Sequence, residues 1–115
     1  MLLASRKNRR SKLDQRVLEQ QVRICKALAN TTRLHMLDLL ENGEWPAADL
    51  QRALFITKPN LSQHLAILKS AGMVDTRREG KRIYCSLAMP EVKRVCHRIR
   101  DVLRAQIRHG HKLKF

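Results

Sequence analysis

Aromatic side chains are scarce in this 115-residue chain, which has one Trp, one Tyr and two Phe. Its core must therefore be built mainly from Leu, Ile, Val, Ala and Met, which supply most of the 43% hydrophobic content and favour helices. Acidic residues are few too: 10 Asp and Glu stand against 24 Lys and Arg, a formal net charge of +14. That excess suits a polyanionic partner, because each cation that neutralises a phosphate releases counterions; an anionic membrane surface would answer the same charge. No apolar run approaches the roughly 20 residues of a membrane span. Met1-Leu2-Leu3-Ala4 is too short for a signal-peptide core, so a cytoplasmic location without membrane contact is expected. Three cysteines, an odd number without framework spacing, argue against a disulfide scaffold. There is no phosphate loop, no cysteine beside a His across a plausible cleft, and no grouping of Asp and Glu, which together speak against an enzyme. The length suits one domain.

What is present is organised around residues 57–72. Thr57 is a good N-cap, Pro59 fits a first helical turn and Gly72 can take the left-handed position that ends a helix. Leu61, Leu65 and Leu68 form one apolar stripe, while Lys58, Asn60, Ser62 and Gln63 point elsewhere. A helix anchored on one face, with short amide and hydroxyl side chains near its N-terminus, suits a DNA groove, where Asn and Gln can pair bidentately with adenine.

Residues 1–12, with Arg6, Lys7, Arg9, Arg10 and Lys12, read as a flexible basic arm. A winged-helix domain is expected over 13–108 and a frayed tail over 109–115. Leu18, Val22, Cys25 and Ala29 mark a first amphipathic helix, and Asn30 caps a second, buried one through Glu41. Asn42-Gly43 ends it, Glu44-Trp45-Pro46 is a short extended piece, and Pro46 opens a helix through Leu54. Residues 46–72 thus read as helix, three-residue turn, helix. Met73 to Arg78 and Lys81 to Leu87 are strand-like runs joined at Glu79-Gly80. The hairpin tip carries Arg77, Arg78, Lys81 and Arg82, a wing suited to DNA backbone or minor groove. A last helix from Pro90 to about Ile107 gathers Val92, Val95, Cys96, Ile99, Val102, Leu103 and Ile107 on one side. The expected fold is mainly α with a small β-hairpin, a winged helix-turn-helix of order α-α-β-α-α-β-β-α. A core of this size cannot easily absorb both terminal helices, so they are expected to pair two chains into a homodimer, its reading helices about 34 Å apart.

Lys26-Ala27-Leu28-Ala29-Asn30-Thr31-Thr32-Arg33-Leu34, then Lys58-Pro59-Asn60-Leu61-Ser62-Gln63-His64-Leu65 with Leu68 and Gly72, then Arg77-Arg78-Glu79-Gly80-Lys81 and Ile83-Tyr84, resemble the arsenic-repressor (ArsR/SmtB) family of winged-helix regulators over roughly residues 17–105. The resemblance implies a homodimeric repressor that sits on a palindromic double-stranded operator and lets go when an inducer binds. It places groove reading on Asn60, Ser62, Gln63 and His64, and wing contacts on the basic tip. It does not supply a metal site. The places of the family's Cys-x-Cys are Pro46 and Ala48 here, and those of its zinc ligands are Met89, Glu91, Val102 and Ala105. His109 and His111 offer only a His-x-His pair in the tail.

Cys25, Cys85 and Cys96 are either small core hydrophobes or sensor thiols for arsenite, another thiophilic inducer, an oxidant or a reactive sulfur species. Arg100, one turn after Cys96, and the adjacent His97 are expected to favour a thiolate there. Two other readings compete with the repressor: a sequence-neutral DNA-packaging protein, which the charge would fit, and a winged helix used as a protein-interaction module.

Overall fold

Between residues 2 and 42 the chain contains neither Gly nor Pro, and its first helix runs on without a break. The computed structural model describes residues 2–112, with side chains described for 14–112. Helix α1 spans Leu2–Leu28, so the stretch expected as a flexible basic arm is helical from residue 2. The correction has a local cause: Leu2, Leu3, Ala4, Arg6, Lys7, Arg9, Arg10 and Lys12 are good helix formers, and the Ser and Asn between them are not breakers as Gly or Pro would be.

Asn30 separates α1 from α2 (Thr31–Leu39) in the way its chemistry predicts, its side chain accepting the Arg33 N–H at 3.0 Å. A 3-10 turn, Leu40–Asn42, finishes α2, and Gly43 with φ +140 releases the chain into β1 (Trp45–Pro46). Helix α3 (Ala47–Leu54) follows, with Pro46 as its N-cap rather than its first residue. After the turn comes α4 (Lys58–Ser70), then β2 (Val74–Glu79), β3 (Arg82–Leu87) and α5 (Pro90–Arg108). The three strands form one antiparallel sheet in the order β1-β3-β2. Glu79 pairs with Arg82, so the hairpin closes through Gly80 and Lys81, one residue later than expected, with Gly80 at φ +62.

The core lies where α2, α3, α4, the sheet and the start of α5 meet. Met36, Leu40, Leu50, Leu68, Val74 and Cys85 are its most enclosed side chains. Val92 brings the first turn of α5 into it, and Ala27 and Leu28 bring in the end of α1. Arg100 donates to the Asp38 carboxylate and His97 is 2.6 Å from Glu41, docking the middle of α5 on the α2 side. Beyond these points the terminal helices leave the core. Leu18 and Val22 on α1, and Ile99, Val102, Leu103 and Ile107 on α5, are all exposed in the separate chain.

The end of α5 is closed rather than frayed. Gly110 takes φ +79, its N–H donates to the Ile107 carbonyl, and that of His111 donates to Gln106. Residues 113–115 of the expected tail lie outside the described residues.

Candidate nucleic-acid interface

Helix α4 is held by three kinds of contact. Its N-terminus is capped by Thr57, whose Oγ1 accepts the Asn60 N–H at 3.3 Å. Its apolar stripe is seated in the core, with Leu61 and Leu68 buried and Leu65 packed against them. Its far end receives Arg23 of α1, which donates to the Ser70 carbonyl at 3.0 Å and to the Ser70 hydroxyl at 3.2 Å. Gly72 with φ +73 then turns the chain into the wing.

The remaining arc of α4 faces outward. Lys58, Asn60, Ser62 and Gln63 are exposed, and among the described residues none of their side chains makes a hydrogen bond or ion pair. Four groups that have lost no partner to the fold are thus presented near a capped helix N-terminus, where the dipole favours an anion. Lys58 and Ser62 line a groove of about 320 Å³ together with Lys81, Arg82 and Ile83 of the hairpin and Gln51 of α3. The start of the helix and the tip of the wing therefore form one continuous basic surface. Gln51 was missed in the sequence, where it reads as one more polar position on a short helix.

His64 belongs elsewhere. It is half-buried on the inner side of α4, with Nδ1 3.4 Å from Nη1 of Arg33. A guanidinium can only donate, so Nδ1 accepts and the ring is neutral. Burial, and after it the Arg33 charge, hold His64 below its ordinary pKa. The grouping of His64 with the outward-facing readers is therefore corrected: Leu61, His64, Leu65 and Leu68 share the anchored side. Arg33 also donates through Nε to the Ala27 carbonyl at 2.6 Å and through Nη2 to the Lys26 carbonyl at 3.0 Å. It thus joins the last carbonyls of α1 to the reading helix.

Strand parity divides the four cations of the wing. Arg78 pairs with Ile83 and shares the face of Cys85, whereas Arg77 pairs with Tyr84 on the opposite face. On that face Arg77 donates to both carboxylate oxygens of Glu44, at 2.8 and 2.6 Å, and to Glu79 at 2.8 Å. Its guanidinium carbon lies 4.4 Å from the centre of the Tyr84 ring. Its hydrogen bonds hold the Glu44 carboxyl below the usual carboxylate range. Arg77 is therefore a brace between the wing and the chain entering β1, and its charge is already answered. Arg78, Lys81 and Arg82 are exposed and have no ion-pair partner among the described residues.

The three cysteines stand on three elements. Cys25 is exposed on α1, Cys85 is buried in β3, and Cys96 is half-buried on α5. Among the described residues no three His, Cys, Asp or Glu side chains converge as metal ligands. Burial pushes both the Cys85 and the Cys96 thiols up. The thiolate expected at Cys96 is not favoured, because Asp38 takes the Arg100 guanidinium and itself disfavours a second negative charge.

Residues 30–76, from the α2 cap through α4 into β2, match the family described as bacterial regulatory protein, arsR family. A biofilm growth-associated repressor of Agrobacterium fabrum is 42% identical over 72 residues, covering 63% of this chain and 62% of that protein, less than two thirds of its length. The transcriptional repressor SdpR of Bacillus subtilis is 42% identical over 64 residues, 56% of this chain and 71% of SdpR. The homodimeric winged helix-turn-helix DNA-binding domain Mb0332 of Mycobacterium bovis superposes with a TM-score of 0.77 at 36% identity, covering 88% of this chain and 94% of that one. Among the described residues no helix is long and apolar enough to cross a membrane.

Proposed function

The chain belongs to the arsR family of bacterial regulatory proteins, and from that premise we propose that it is a cytoplasmic, sequence-specific DNA-binding repressor acting as a homodimer. One observation carries the reading: Asn60, Ser62 and Gln63 are exposed and without partners among the described residues, on a helix otherwise anchored whose Lys58 and Ser62 share a groove with Lys81 and Arg82 of the wing. Asn and Gln discriminate bases in the major groove, and the wing cations hold phosphates without reading sequence.

The dimer rests on two apolar stripes that the core does not use. Leu18, Val22 and Cys25 recur along α1, and Val95, Ile99, Val102 and Leu103 along α5; Leu18 is 53% and Val102 58% exposed in the separate chain. Pairing of these stripes between two copies buries them and sets two reading helices on one side, matched to half-sites about 34 Å apart. Release of the operator is assigned to an inducer. A thiol-directed one, arsenite or an oxidant, is assigned to Cys25, which is open in the separate chain and lies on the α1 stripe, so that its modification competes with pairing; Cys85 is enclosed and Cys96 half-buried. Undiminished release of Cys25→Ser by both reagents would exclude that route.

The test of the whole reading is selection of duplexes from a randomised pool. An imperfect palindrome is expected, and Gln63→Ala or Asn60→Ala should cost on the order of 1–3 kcal/mol and relax one position of it. Recovery of duplexes with no common sequence, bound equally by both variants, would replace the repressor with a packaging protein.

A further inference from the structure

Phe55 is 95% exposed, more than any other large apolar side chain among the described residues. It occupies the helix-turn-helix turn, and it is the one described non-glycine residue with positive φ, at +54 with ψ 43. The turn closes α3 through that conformation: the Phe55 N–H donates to the Arg52 carbonyl and the Ile56 N–H to that of Gln51. The backbone here asks for glycine, because a Cβ in the left-handed region crowds the following carbonyl. The phenyl ring gains almost no cover from the described residues in return. It is not packed in the core, and it lies on neither terminal helix, so pairing of the α1 and α5 stripes does not cover it. A residue disfavoured in its backbone and uncovered in its side chain marks a site whose compensation comes from outside.

Its position says what the outside is. Consecutive Cα atoms are about 3.8 Å apart, so the Cα of Phe55 is at most about 7.6 Å from that of Thr57, the N-cap of α4. The intervening Ile56 packs against the core and pins the turn. Phe55 therefore stands two residues before the N-cap of the helix that carries Lys58 and Asn60, near enough for a partner held by those residues to reach it. In a groove lined by donors and acceptors, the chemical partner for an apolar side chain is the 5-methyl group of thymine. We propose that Phe55 is a specificity-determining residue that packs on a thymine methyl at the edge of the major groove, one contact per half-site. This rests on the DNA-reading role of α4 and adds to it a hydrophobic contact that the amides cannot make.

The experiment uses the full chain and a palindromic duplex selected from a randomised pool by the wild-type protein. Each dT is replaced in turn by dU, which removes the methyl group alone, and binding is measured for wild type, Phe55→Ala and Phe55→Gly. Burying one methyl group corresponds to a factor of about four in affinity. One thymine per half-site should show that loss with wild type and none with Phe55→Ala. Phe55→Gly should show the same loss of coupling together with a higher melting temperature, since the left-handed backbone no longer carries a Cβ. Equal sensitivity of wild type and Phe55→Ala at every thymine overturns the inference, and so does a uniform weakening without coupling to any thymine, which would make the ring a non-specific or protein-docking contact. Failure of the underlying reading looks different: the pool then yields no consensus, and Gln63→Ala is as indifferent to sequence as wild type.

Discussion

Nη1 of Arg33 lies 3.4 Å from Nδ1 of His64, while Nε and Nη2 of the same side chain hold the carbonyls of Ala27 and Lys26. One guanidinium thus couples a helix with an uncovered apolar stripe to the helix that bears the base-reading amides. The Lys26 carbonyl also accepts the Ala29 N–H, but charge-assisted bonds to helix-end carbonyls are worth on the order of 1–3 kcal/mol together, so Arg33→Ala should lower the urea-unfolding free energy by about that much. Arg33→Lys should recover only part of it, because an ammonium cannot reproduce the planar fork.

His64 makes stability depend on pH in a definite direction. Its pKa in the folded chain is lowered from the ordinary 6.5, by burial first and by Arg33 second. Between the two values the unfolded chain binds more protons, so the contribution of this side chain is complete above about 6.5 and is lost as pH falls toward the folded pKa. Wild type should therefore have a lower urea midpoint at about pH 5.5 than at about pH 7.5, and His64→Gln should show a smaller difference. An equal difference in both proteins would assign the effect to other groups.

Arg77 and Arg78 are neighbours with opposite expected phenotypes. Arg78→Ala removes a cation that has no ion-pair partner among the described residues and should weaken binding to all duplexes alike, reducing the slope of log K against log salt by about 1. Arg77→Ala removes a cation already bonded to Glu44 and Glu79, so the salt slope should stay as in wild type. Equally reduced slopes in the two variants would mean that the brace opens on DNA, and a wild-type slope in Arg78→Ala would remove Arg78 from the phosphate contacts.

Cys25 reports on the pairing of chains. It is exposed in the separate chain and lies on the same side of α1 as Leu18 and Val22. Its alkylation by iodoacetamide should slow by roughly tenfold or more as protein concentration rises from about 10 nM to about 10 μM, because association covers it. A rate independent of concentration would remove α1 from the interface. Cys85, wholly enclosed, should label only on unfolding at every concentration.

Much of the fold was legible because its signals are local. Asn30 and Thr57 each cap a helix with a side chain reaching three residues ahead, and Gly72 and Gly80 each supply the positive φ that a turn demands. These are chemistries of four or five consecutive residues. The alternation of Ile83, Cys85 and Leu87 likewise placed Cys85 inside. Legibility ended where partners are distant: Arg77 meets a carboxylate 33 residues away, and His64 a guanidinium 31 residues away. Phe55 was unreadable for another reason. Its left-handed backbone is imposed by the helix end and the core position of Ile56, against the preference of its own side chain.

Caps, turns, apolar periods and the excess of positive charge are written in the order of residues, and they determined the sequence of elements and the class of partner. Which cations remain free to meet that partner was decided only in three dimensions. Charge is a property of a residue, but its availability depends on what the folded chain sets beside it, and strand parity set Glu44 beside Arg77 while leaving Arg78 open.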